Sequence, residues 1–118
     1  MATVAYVLQD AWIGEAIYQW TPLTTANADG QPASYQGAGD RVIQVTGTFG
    51  AGGTVILQGS CDNVNWFPLK SPTGTAISFT AAGLFEVLEN CPYTRPFVSA
   101  GDGTTSITAL LAVRRIVQ

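Results

Sequence analysis

The sequence predicts an all-β domain, an antiparallel β-sandwich of jelly-roll or immunoglobulin type with an extended N-terminal segment. Three observations carry that expectation. Short runs alternate apolar and polar residues with the period of two that a half-buried strand requires. Turn residues interrupt these runs at the roughly 8 to 12 residue spacing of sandwiches and barrels. Thirteen glycines, fourteen threonines and fifteen alanines in 118 residues favour strands, tight turns and close contacts. A chain of this length fits one domain with one core, here residues 15–118, with residues 1–14 set apart as an N-terminal arm.

In order along the chain, residues 4–13 carry Val4, Tyr6, Leu8, Trp12 and Ile13 ahead of the regular pattern, and the segment is expected to reach outward and bind a partner. Tyr6, Leu8, Trp12 and Ile13 are its candidate contact residues, because an extended arm adds to a foreign sheet edge or lays aromatic rings into pockets. Ala16 to Trp20 form the first expected strand, followed by a long polar loop from Thr24 to Gly39. Arg41 to Phe49 put Ile43, Val45 and Phe49 on one face and Gln44, Thr46 and Thr48 on the other. The glycine-rich stretch 50–53 leads into Thr54 to Ser60, where Val55 and Leu57 share a face, so the two runs are expected to form a β-hairpin.

Residues 61–65 form a second expected turn, and the extended run Trp66 to Leu69 contains Pro68, which suits an edge or a strand end. After the turn at 71–74, Ala76 to Thr80 and Leu84 to Glu89 are two further strands, separated by a segment too short for a helix. Arg95 to Ser99 make another. Gly101, Asp102 and Gly103 are a hairpin turn signal. In the last strand, Thr105 to Arg115, Ile107, Ala109, Leu111 and Val113 share a face. The expected core is Ile43, Val45, Phe49, Val55, Leu57, Phe79, Val87, Ile107, Leu111 and Val113.

Composition narrows function. Charged residues are 11% of the chain and the net charge is −3, against about 25% charged in an ordinary domain. Five basic residues give no electrostatic footprint for nucleic acid. So few charges also imply that much surface is covered by other protein, which predicts a homo-oligomer, a trimer. The apolar runs fall far short of the roughly 20 residues that span a bilayer, and the first residues lack the pattern of a secretory signal, so folding in a cytoplasm is expected.

The absence of histidine removes the usual general base and the commonest metal ligand. Two cysteines 30 residues apart do not make a zinc site without it; they are expected as core or half-buried thiols, with a Cys61 to Cys91 disulfide as the alternative. Asp40, Asp62 and Asp102 are expected to cap turns rather than bind calcium. Residues 50–53 lack the following Lys-Ser or Lys-Thr of a phosphate loop. Trp66 is expected to pack on core or sheet rather than on a sugar. The inventory predicts no enzyme and no cofactor.

Residues 41–50 (RVIQVTGTFG), 55–66 (VILQGSCDNVNW) and 93–108 (YTRPFVSAGDGTTSIT) together resemble small β-sandwich virion proteins of tailed bacteriophages, including capsid decoration or cement proteins. The resemblance covers about residues 37 to 115 and departs at Cys61 and Asn63, where Asn and Gly are expected in that turn. It implies a non-enzymatic protein of the virion surface, made in the host cytoplasm. Its implied partners are the major capsid protein and further copies of itself. A tail, adaptor or baseplate component, or a host-surface carbohydrate-binding module, are the alternatives.

Overall fold

The computed structural model describes residues 3–12, 15–34, 38–89 and 91–115. Alternation along the chain becomes two antiparallel sheets packed face to face. Among the described residues the strands are β1 (Tyr6–Trp12), β2 (Glu15–Leu23), β3 (Ala38–Thr48), β4 (Thr54–Ser60), β5 (Phe67–Pro68), β6 (Ser78–Phe79), β7 (Gly83–Glu86), β8 (Tyr93–Ala100) and β9 (Ser106–Arg115). The larger sheet has the order β1-β2-β9-β3-β7; in the smaller, β8 runs along β4, which also pairs with the short β5 and β6. The expected β-sandwich is therefore the fold.

Cross-strand partners share a face, so the register defines the core row by row. On the inner face of the larger sheet, Tyr18, Leu111, Ile43 and Phe85 form one row, and Trp20, Ala109 and Val45 the next. Val55, Leu57, Phe79 and Val98 meet them from the smaller sheet. Every expected core residue is buried except Phe49, which is half-buried against the cluster. Trp20, Leu23, Leu69 and Ile77, absent from the expected list, are buried with them.

The expected hairpins at residues 50–53 and 101–103 are both corrected. β3 pairs with β9 and β7, while β4 pairs with β8; the turns after β3 and β8 each carry the chain across the core to the opposite sheet. The physical reason is that an inward apolar row looks the same whether the next strand lies beside it or faces it. The segment between Phe79 and Gly83 crosses likewise, since β6 belongs to the smaller sheet and β7 to the larger. The short β6 and β7 also replace the longer runs expected there, while β2 extends beyond Trp20 to Leu23.

The outward-reaching arm is corrected too. β1 pairs with β2 from Tyr6–Trp20 to Trp12–Glu15, with a bulge between Leu8 and Asp10, and is the edge strand of the larger sheet. Val4 joins Gly30 in a parallel bridge: its N–H donates to the Asp29 carbonyl at 2.9 Å, and its carbonyl accepts from Gln31 N–H at 2.7 Å. Part of the expected polar loop, residues 28–33, in turn bonds along β8 through Ala28, Gly30 and Ala33. The N-terminal segment thus closes one side of the sandwich, because Tyr6 brings an aromatic ring to Tyr18 and Trp20.

Candidate functional site

The outer face of the larger sheet is built by the residues that alternate with its core rows. Val7 pairs with Gln19, Gln19 with Leu110, Leu110 with Gln44, and Gln44 with Leu84, which makes one row from edge to edge. The next row runs Ile17, Ala112, Val42 and Glu86. Val7 and Leu84 are each 60% exposed. Beyond these rows, Thr21 and Thr108 share a hydroxyl hydrogen bond of 2.8 Å at one end, and Arg114 pairs with Asp40 at 3.3 Å at the other. Small Ala112 between Ile17 and Val42 leaves a shallow hollow of about 330 Å³, rimmed by Glu15 and the Arg114–Asp40 pair. The arrangement suits apolar contact: a stripe of branched side chains separated by neutral glutamines.

Of the candidate contact residues, Tyr6 is half-buried. Its ring meets Tyr18 edge-on at 4.8 Å and Trp20 at 6.2 Å. Leu8 is 47% exposed and pairs with Tyr18. Trp12 lies opposite Glu15 in the register, and Ile13 lies outside the described residues. The structure thus seats Tyr6 within this domain, while the neighbouring Val7 contributes to the outer face. Sequence reasoning missed Val7, Ile17, Val42 and Leu84. One signal was available: Ala109 to Val113 is apolar at every position, so both faces of β9 are apolar.

Charged side chains elsewhere serve the fold. Asp62 accepts the N–H groups of Val64 and Asn65 at 2.9 and 2.8 Å, which hold its carboxyl well below the usual range. Asn63 in that turn has φ 61°, a left-handed conformation that asparagine tolerates. Asp102 also caps a turn, as expected, whereas Asp40 sits on β3 in its ion pair. Glu89 accepts the Lys70 N–H at 2.7 Å and pairs with its ammonium at 3.5 Å; the N–H bond is the main cause of its lowered pKa.

On the smaller sheet, Arg95 lies 4.2 Å from the centre of the Trp66 ring, donates to Gln58 at 2.9 Å and pairs with Asp29 at 3.4 Å. Trp66 therefore packs on a sheet face beneath a cation, and Phe67, 66% exposed, stands beside it. Cys61 is exposed and Cys91 half-buried, both as free thiols, so only Cys91 matches the half-buried expectation. Among the described residues no group of three or more His, Cys, Asp or Glu gathers to hold a metal ion, and no helix is long and apolar enough to cross a membrane.

No family model, curated protein or solved structure matches this chain. The most distinctive feature of the site is its row of Val7, Leu110 and Leu84 spaced by uncharged glutamines, with Glu15, Asp40, Glu86 and Arg114 towards one end of the same face.

Proposed function

We propose that this protein is a non-enzymatic virion structural protein of the capsid decoration or cement type. It binds the assembled head as a homo-oligomer, a trimer, and stabilises contacts between major capsid subunits. The observation that carries the reading is the outer face of the larger sheet. Five strands about 4.8 Å apart, and the length of β9, give it roughly 600 Å², close to the roughly 800 Å² per partner of a stable interface. Its exposed Val7 and Leu84, with Ile17, Val42 and Leu110 between them, match the apolar centre of protein contacts. The resemblance of residues 41–50, 55–66 and 93–108 to phage virion proteins supplies the kind of partner, and the low charge agrees with it.

The test is attachment. Purified protein is mixed with shells assembled from the major capsid protein of the same virion, and co-sedimentation is measured. Saturable binding, lost in Val42→Glu or Leu110→Glu variants that retain a cooperative thermal transition, is the expected result. Failure of the unmodified protein to bind the shells overturns the capsid reading. Undiminished binding by both variants overturns the assignment of the face.

A further inference from the structure

Arg41 is the exception in the core. Its register opposite Val113, which pairs in turn with Ala16, places it in an inner row of the larger sheet. The residue is only 4% exposed. Nη1 donates to Thr94 Oγ1 at 2.6 Å, whereas Nε and Nη2, both buried, have no acceptor among the described residues. Burial lowers the arginine pKa from its ordinary value, yet a guanidinium stays charged in proteins. Electrostatic attraction reaches it first from Cys91 and then from Glu89, whose carboxylate is engaged with Lys70. A buried cation with two open N–H groups is strongly unfavourable unless something pairs with it.

The open N–H groups belong to a residue that lines a small cavity with Tyr18, Cys91 and Thr94. The space available there to the centre of a water-sized sphere is about 10 Å³, room for one water or one monatomic ion. Thr94 Oγ1 already accepts from Arg41, which leaves its proton to donate. The Cys91 thiol stays protonated because burial pushes its pKa up, so it too offers a donor. The Tyr18 hydroxyl donates to the Ser34 carbonyl at 3.4 Å. A pocket lined by a fixed positive charge and by hydroxyl and thiol donors is complementary to an anion. Room for one water-sized body suits a monatomic anion such as a halide.

We propose that this cavity is a halide site, holding one chloride ion against Nε and Nη2 of Arg41. The ion neutralises the buried guanidinium and links β3 to β8 through Arg41 and Thr94. It acts on the stability of the sandwich and is independent of what the outer face binds.

The experiment uses the full chain exchanged into sodium gluconate and titrated with sodium chloride or bromide at constant ionic strength. A saturable rise in Tm of several degrees is expected with either halide, since a ligand that binds only the folded state stabilises it. Sulfate substituted for gluconate should produce no saturable rise, only the gradual increase that a kosmotropic anion gives any folded protein. Chloride-35 NMR of the folded protein should show excess line broadening that bromide competes away and that the Arg41→Met variant lacks. A Tm and a chloride linewidth that ignore halide overturn the proposal and assign the cavity to water. An equal saturable rise with sulfate overturns the halide assignment, and a folded Arg41→Met variant that keeps the halide response overturns the site. Should that variant not fold, the chloride linewidth of the unmodified protein decides alone.

Discussion

The Asp102 carboxylate accepts the Ala51 N–H at 2.8 Å, so the crossover after β8 grips the crossover after β3. The same carboxylate takes the Thr104 N–H at 2.8 Å and its hydroxyl at 2.6 Å. Thr105 Oγ1 donates to the Phe49 carbonyl at 2.7 Å. Two chain crossings at one end of the sandwich are thereby fastened to each other, and Gly50 lies where they meet.

Gly50 has φ 73° and a Cβ added there would run into the Asp102 carboxylate. Gly52 has φ 68° with open space around it. Gly50→Ala should therefore cost about 1–3 kcal/mol through strain and displacement of Asp102, and Gly52→Ala about 1 kcal/mol through backbone strain alone. Urea unfolding of the two variants checks the ranking; equal losses would detach Gly50 from the carboxylate.

The hydrogen bonds of the Asp102 side chain, first from Thr104 and then from the Ala51 N–H, lower its pKa to about 2 from 3.8. A carboxylate depressed in the folded state binds fewer protons there than in the unfolded chain. Its contribution is thus complete above about pH 4 and is lost as pH falls through about 2. Asp62, held low by its own turn, acts in the same direction. Thermal unfolding should show a Tm that declines below about pH 4, and Asp102→Asn should lower Tm at neutral pH while flattening that decline. An unchanged acid slope in the variant would refute this assignment.

Tyr6 covers Tyr18 and Trp20 from the edge strand. Tyr6→Ala should cost about 1–3 kcal/mol by removing an aromatic contact and part of the core cover. Deleting residues 3–12 should lower stability further and raise tryptophan fluorescence accessibility to quenchers, because Trp20 loses its shield. A truncated chain as stable as the original would restore the arm.

Leu110 and Leu111 are adjacent but face opposite ways. Leu111→Ala should cost about 2–5 kcal/mol as a core cavity, whereas Leu110→Ser should cost about 1 kcal/mol or less while weakening self-association or shell attachment. Because the row of Val7, Gln19, Leu110, Gln44 and Leu84 carries no charge, attachment through it should persist at high salt. Sedimentation velocity across a salt series checks both points.

Strand positions were legible because alternation is a local property: Arg41 to Phe49, Thr54 to Ser60 and Thr105 to Arg115 can be read without knowing their neighbours. Pairing was not, since Gly50 to Gly53 and Gly101 to Gly103 serve a crossover as readily as a hairpin. The candidate face was hidden for a related reason. Val7, Ile17, Val42, Leu84 and Leu110 come from five strands, and each alone is an ordinary exposed or half-buried apolar residue.

By itself the sequence determined the all-β class, the inward rows of Ile43, Val45, Val55, Leu57, Ile107, Leu111 and Val113, and the scarcity of charge, because burial on one side of a strand demands a period of two. Only the tertiary structure decided that β3 and β4 face each other across the core, that Tyr6–Trp12 completes a sheet, and that Arg41 has two N–H groups without an acceptor among the described residues. Those outcomes depend on which distant segments meet, and sheet pairing and hydrogen-bond partners are set by contacts among strands far apart in the chain.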